Sequence, residues 1–427
     1  DIVKEFGIFT AIGVLFAFII TILFIPSMLM ILKRTPETKL EAYVTGFRMR
    51  IINKIILFVR AYPKQIIFTG ILFSMIGVFG AMKMNPHSKL LEDLRPGNQL
   101  LDDMHFAEDR MGAVLPVEVI IEVDEDGPYE DIQDVEVLNF MDQLSQFIGK
   151  IPEVGKVLSV SDYIKEIHRA MNDGDSIFYK LPESRDLISQ YMLLYESEFE
   201  SLLNVDYTKL RIAVQIKDID SRRSAEMEKE INDFITLTVP NGLTVEVTGT
   251  AFLALRTNNY LVYNIGGSFF IAFGVITLLM VFLFRSVKMA LVSILPNIIP
   301  MMIMAAILGF FQIPLRPSTA MTFAIAFGIS VDDTLHYLTR YRMELDEADR
   351  HYRQANDATL MGTGIAMMST TAILVAGFLI LLVSEFTPTI QFGALSSITI
   401  LAALVGDLTF LPALLSQIKP KIKSKKD

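Results

Sequence analysis

Three aspartates in apolar surroundings are the residues best placed to do chemistry. Asp332 and Asp333 lie in Gly328-Ile329-Ser330-Val331-Asp332-Asp333-Thr334-Leu335-His336, and Asp407 lies in Val405-Gly406-Asp407-Leu408. A carboxylate at the centre of a membrane helix costs roughly 2.5 to 3.5 kcal/mol on insertion scales, so such residues face a bundle interior and mark a pathway or relay. A carboxyl in low dielectric is also able to cycle a proton near physiological pH. The chemistry expected of Asp332, Asp333 and Asp407 is therefore proton relay. His336, one turn below Asp332, either passes that proton to the cytoplasm or snorkels to the interface. Asn297, between Pro296 and Pro300, and the cluster Ser369-Thr370-Thr371 supply hydrogen-bond partners. The plainer alternative for each group is a polar contact between helices. It weighs most on Asp333, which faces about 100° away from Asp332 in a helix.

Those residues need long helices to hold them. With 52% hydrophobic residues and a mean hydropathy of +0.44, the 427-residue chain is more apolar than soluble domains. A span needs about 20 apolar residues. Seven segments reach that length, near residues 6–32, 66–84, 261–284, 289–311, 317–338, 364–384 and 389–414. Asp332 and Asp407 each fall about five residues, roughly 7 Å, inward of their span midpoints. Asn297 and Ser369 to Thr371 fall at a similar depth, so one polar layer is expected. Gly266-Gly267, Gly362 with Gly364, and Gly377 read as close-packing points.

Orientation follows from basic loops. Lys33, Arg34, Lys39, Arg48, Arg50, Lys54, Arg60 and Lys64 make the first loop cytoplasmic, and Arg285, Lys288, Arg340, Arg342 and the tail Lys419 to Lys426 fall on the same side. Within that loop Phe47, Ile51, Ile52, Ile55, Ile56 and Val59 recur at helical spacing. They form either an interfacial amphipathic helix or one packed on the bundle. The resulting organisation is a first span (1–33), a linker (34–64), a second span (65–84), an external domain (85–260), five helices (261–414) and a basic tail (415–427).

The external domain alternates strand and helix patterns. Strands at 117–123, 154–159, 210–216 and 243–248, with helices at 135–148 and 221–237, make two β-α-β units, a ferredoxin-like α+β fold. Two further helices, 161–171 and 185–195, are inserted between them. The acidic stretch from Glu118 to Asp134 reads as a solvated surface.

The chain also repeats itself. Phe6-Gly7 and Pro26 match Phe392-Gly393 and Pro412 at an offset of 386, with Ile12, Leu15, Ala17 and Lys33 matching Ile398, Leu401, Ala403 and Lys419. The first span then corresponds to the last helix of a preceding repeat, and about 340 residues are expected upstream.

Several classes are excluded. There is no cysteine for a disulfide, thiolate or metal site, and the five histidines form no ligand pair. A net charge of -10 argues against nucleic acid. An intramembrane aspartyl protease needs Gly-x-Gly-Asp, but Leu404 stands at the first glycine and no span carries Tyr-Asp.

The Gly328 to Asp333 stretch, the Gly-Asp-Leu-x-x-x-Pro ending at Gly406, Asp407, Leu408 and Pro412, and the layout of one helix, a large external domain and five helices resemble RND-superfamily permeases of the MMPL and Patched-like branch. The resemblance covers nearly the whole chain. It implies an inner-membrane, ion-gradient-driven exporter of lipids or other amphiphiles, with a periplasmic porter domain, no cofactor beyond a proton or sodium gradient, and partners limited to membrane lipid, substrate and a homo-oligomer or periplasmic protein. Asp332 matches the family's relay carboxylate. Asp333 occupies a position that is often Tyr in MMPL proteins, so an Asp-Tyr mechanism does not transfer directly. A lipid-sensing receptor and a protein-export auxiliary share this fold, and proton flux accompanying ligand movement would separate pumping from sensing.

Overall fold

A computed structural model describes residues 2–31, 46–348 and 351–419. Lys33, Arg34, Lys39 and most of the basic tail lie outside the described residues. The chain begins with α1 (Ile2–Ile31), whose described side chains from Gly7 to Ile31 are all exposed. Next come α2 (Phe47–Ala61) and α3 (Pro63–Ala81). A linker containing a single 3-10 turn, Leu91–Asp93, leads into an α+β region.

That region runs α4 (Gln99–Met111), β1 (Leu115–Val123), α5 (Val135–Ile148), β2 (Val154–Leu158), α6 (Val160–Met171), α7 (Arg185–Leu194), α8 (Glu196–Phe199), β3 (Lys209–Ile216), α9 (Ser221–Thr238) and β4 (Leu243–Thr248). The sheet order is β2-β3-β1-β4 with every neighbour antiparallel, the order that two interleaved β-α-β units produce. Alternation sets its register: Val117, Val119 and Ile121 of β1 and Ile212, Val214 and Ile216 of β3 all point into one core. Leu138, Met141 and Leu144 of α5 and Met227 and Ile231 of α9 complete that core. Each fully buried side chain of this size contributes about 1.5 to 3 kcal/mol. Local signals start the helices: Asp220 caps α9 by accepting from the amides of Arg222 and Arg223, and Ser159 with Asp162 forms a capping box on α6. Sequence patterning missed α4, which has no fully buried residue and is started by the Asn98 cap.

Five more helices follow: α10 (Thr250–Phe284), α11 (Val287–Phe310), α12 (Pro317–Glu347), α13 (Tyr352–Leu379) and α14 (Thr387–Val405). A π-turn at Gly406–Phe410 then leads into α15 (Leu411–Ile418). α10 joins the two halves, with Ala251 and Phe252 in the sheet core and Met280 and Phe284 in the helical core. Among the described residues, six helical segments are long and apolar enough to cross a membrane: Gly7–Ile31, Pro63–Ala81, Thr250–Phe284, Val287–Phe310, Tyr352–Val383 and Thr387–Ile418. The seventh expected span, 317–338, falls in α12. That helix is 31 residues long, but Asp332, Asp333 and its hydroxyls keep it below that apolarity. It packs against α10, α11, α13 and α14, with Ser330, Asp333 and Thr334 turned into the bundle.

The tightest helix contact is α3 against α11. Gly77 and Gly80 of α3 meet Met302, Ala305 and Ala306, and a Cβ on Gly309 would lie 1.9 Å from the Gly80 carbonyl oxygen. Small residues let the backbones touch there. Of the expected packing glycines, Gly364 meets Ile52 and Gly362 rests on Arg340, but Gly266, Gly267 and Gly377 have open space beside them. α2 lays Ile52, Ile56 and Val59 on the bundle. It runs antiparallel to α13, since Arg48 donates to Ser369 Oγ at 2.9 Å and Arg60 pairs with Asp357.

Candidate functional site

The site is a buried polar chain running across three elements. On α11, Pro300 has no N–H to give the Pro296 carbonyl four residues earlier. Asn297 turns its amide back onto the Ser293 carbonyl at 2.7 Å and points its oxygen at α12. There Asn297 Oδ1 accepts from Ser330 Oγ and, at 3.2 Å, from Thr334 Oγ1. Thr334 Oγ1 also lies 2.6 Å from Asp407 Oδ1. Ser293, Asn297, Ser330, Thr334 and Asp407 are all at most 1% exposed.

Asp407 reaches this position because α14 is broken. The turn at Gly406–Phe410 is π-helical, with the Leu411 amide donating to the Gly406 carbonyl five residues before. Such bulges are frequent at functional sites, and the extra residue in the turn rotates the chain beyond it. Gly406 lacks the Cβ that would stand 3.5 Å from the Pro296 carbonyl, so the two irregular stretches meet.

Two features give the chain chemistry. Asp407 Oδ2 is buried with no hydrogen-bond partner, although a buried carboxylate oxygen ordinarily has one. A proton on that carboxyl removes the uncompensated buried charge, although Oδ2 still has no partner. Thr334 has one hydroxyl hydrogen and two acceptors. When Asp407 is ionised, Thr334 donates to it; when Asp407 carries the proton, it donates to Thr334, which turns to Asn297. The hydroxyl therefore has two discrete orientations set by one proton. Asp333, 9% exposed, directly precedes Thr334 on the same helix. A second polar chain continues the layer, as Tyr337 donates to Asn356 Oδ1 at 3.0 Å and Asn356 to the Pro412 carbonyl at 2.9 Å.

The other expected residues are placed differently. Asp332 and His336 form an i,i+4 pair at 3.6 Å on the outward face of α12, with side chains 73% and 70% exposed. Ser369 and Thr370 return their hydroxyls to their own helix at Ile365 and at Ala366 and Met367. Thr371 is buried without a partner, and no bond joins it to Asp407. Of the expected partners only Asn297 joins the chain. Ser330 and Thr334 were missed, although their four-residue spacing beside Asp333 marks one helical face.

Asn297 also lines the inner end of a cavity of about 460 Å³ between α10, α11 and α12. Its walls are apolar: Phe269, Phe273, Met301, Phe323 and Phe327 among them. Gly266 faces it, and a Cβ added there would meet no atom within 4 Å. Among the described residues no cluster of His, Cys, Asp or Glu is suited to a metal.

Comparison with known proteins places this arrangement. The MMPL family model matches residues 159–426. A membrane protein of Methanocaldococcus jannaschii is 24% identical over 389 residues, covering 87% of this chain and 96% of that protein. The hopanoid transporter HpnN of Burkholderia multivorans is 27% identical over 230 residues, 52% of this chain but only 24% of the transporter. The cryo-EM structure of the hedgehog release protein Disp from the water bear Hypsibius dujardini superposes with a TM-score of 0.54 at 14% identity, over 88% of this chain and 51% of Disp. That likeness is one of fold. The family match takes in more than half of the chain, which therefore belongs to the MMPL family of RND-type, multi-pass membrane permeases.

Proposed function

We propose that this protein moves lipid-like molecules out of the inner membrane, driven by protons that load and leave Asp407. The observation that carries the reading is the Thr334 hydroxyl held between Asp407 and Asn297. It converts one protonation event into a hydrogen-bond rearrangement between α11, α12 and the π-turn after α14. Rocking of helices around a fixed midplane site is how repeat-built transporters alternate access.

The substrate class is supported by the apolar cavity ending at Asn297 and by the hopanoid transporter among the relatives. The α+β region is assigned to the periplasm and acts as a porter domain. Basic residues at Arg285, Lys288 and Arg340 favour the cytoplasm for the opposite ends of the helices. Asp333 is the second carboxyl of the relay, and Asp332 with His336, on the face of α12 turned away from the bundle, is a path for proton release to the cytoplasm.

An apolar cavity alone would suit a sensor as well as a pump, and the relay separates them. The test is infrared difference spectroscopy of the full-length protein in lipid as pH is stepped. A protonated-carboxyl band that disappears in Asp407→Asn and persists in Asp332→Asn supports the reading. A spectrum unchanged by Asp407→Asn removes Asp407 from the relay.

A further inference from the structure

The α+β region is attached to the helices at more than its covalent ends. One attachment is α10, whose first residues Ala251 and Phe252 are buried in the sheet core. The other is the linker between α3 and α4, where Leu91, 5% exposed, is also part of that core. The linker is tied further to the same side, with the Leu90 amide donating to Asp218 Oδ1 at 3.1 Å and the Ser221 amide to the Ser88 carbonyl at 3.2 Å.

The residues beside Leu91 are held by the helices instead. Arg316 is 3% exposed and directs its guanidinium at Glu92, 3.3 Å away, at Asp93, 3.2 Å away, and at Gln391 Oε1, 3.4 Å away. Arg316 is itself fixed to α12 as its N-cap residue. Its amide donates to Thr319 Oγ1 at 2.8 Å, and that hydroxyl donates to its carbonyl at 3.0 Å. The neighbouring Leu315 amide donates to the Asn85 carbonyl at 2.7 Å. A cation this deeply buried is retained only where it is paired, and its planar fork fixes geometry as well as charge.

We propose that Arg316 is the positioning residue that carries displacement of α12 into the α+β region, by gripping Glu92 and Asp93 next to the Leu91 plug. The proposal rests on the reading above that α12 moves when Asp407 changes protonation. α12 runs unbroken from Arg316 to Thr334, about 27 Å at 1.5 Å per residue. A shift at Thr334 therefore reaches Arg316 as a rigid translation or tilt. Because α10 anchors the sheet at a second point, displacement of α12 relative to α10 tilts the sheet region instead of merely carrying it along. Thr387 Oγ1 on the Leu94 carbonyl at 3.0 Å and the Arg95 amide on the Glu385 carbonyl at 3.3 Å tie the same linker to α14, which leads into Asp407.

These 427 residues contain no cysteine, so, with any cysteine elsewhere in the full-length protein replaced, two introduced cysteines can carry spin labels. Lys229→Cys on α9 and Phe311→Cys at the outer end of α11 report the separation of the two halves in the full-length protein in lipid. The background is compared with Arg316→Gln and with Glu92→Gln/Asp93→Asn, which releases the grip from the other side. The expected result is one narrow distance that shifts with pH in the background. In both variants the distance distribution broadens and the shift is lost, while proton uptake stays within about twofold. Arg316→Lys, keeping the charge without the fork, falls between. A folded variant that keeps the narrow distance and its shift overturns the proposal. A background distance that does not move with pH, but that broadens in both variants, leaves the grip standing and counts against proton drive instead.

Discussion

Thr334→Val removes one hydroxyl and keeps the shape of the side chain. The structure gives that hydroxyl two acceptors, Asp407 Oδ1 at 2.6 Å and Asn297 Oδ1 at 3.2 Å, but only one hydrogen. At any moment one bond is lost, and when it is the bond to an ionised carboxylate the loss is about 1.5 to 3 kcal/mol. Asp407 Oδ2 is already without a partner, so the variant leaves both carboxylate oxygens unbonded inside the bundle. If that energy separates the two proton states in the transport cycle, coupled flux falls roughly 10- to 150-fold. Thr334→Ser, which restores the hydroxyl, should recover most of it. The assay is lipid-stimulated proton flux in proteoliposomes, with thermal melting of each variant as the check on folding. A folded Thr334→Val protein pumping at the wild-type rate would refute the idea that this hydroxyl links the two states.

Three further outcomes follow from packing and charge. Gly309→Ala places a methyl 1.9 Å from the Gly80 carbonyl oxygen and forces α3 from α11, costing about 1 to 3 kcal/mol and lowering the melting temperature measured in detergent. Gly266→Leu should be tolerated by the fold, because its Cβ meets nothing within 4 Å, yet it fills the apolar cavity, so lipid movement in vesicles falls while the melting temperature holds. Glu153 is held below the usual carboxylate range chiefly by its hydrogen bonds from Arg223, at 2.8 and 2.9 Å. Its stabilising contribution is present above the unfolded value near 4.5 and is lost as pH falls through the lower folded value. Glu153→Gln should therefore cost about 1 kcal/mol at neutral pH and flatten the acid limb of a pH series of melts.

The strands and helices of the α+β region were legible because their burial is one-sided. β1 alternates along its whole length, and α5 and β4 begin and end where the periodicity does. α4 was not legible, since an exposed helix carries no apolar stripe to read. In the bundle, counting residues from the span midpoints put Asp407 and Asn297 at one level, and both meet Thr334, whereas Ser369 meets Arg48 instead. Which side each helix turns inward depends on its neighbours. Asp332 and Asp333 differ by about 100°, and the inward stripe of α12 runs through Ser330, Asp333, Thr334, Tyr337 and Tyr341, leaving Asp332 outside. The break at Gly406 was hidden for another reason. A π-turn has no strong residue signature, and the Pro296 carbonyl that Gly406 packs beside lies on another helix. Nothing in the sequence singles out Arg316, because its acidic partners are more than 220 positions away.

In the proposed cycle a proton on Asp407 drives lipid movement. Its most direct test is proton flux in proteoliposomes of the full-length protein under an imposed pH gradient, with and without a lipid extract, comparing wild type and Asp407→Asn. Lipid-stimulated flux is expected in the wild type and none above the empty-vesicle leak in Asp407→Asn, which keeps the shape of the side chain but cannot cycle a proton. Equal flux in the two proteins, or lipid movement that continues in Asp407→Asn, would contradict it.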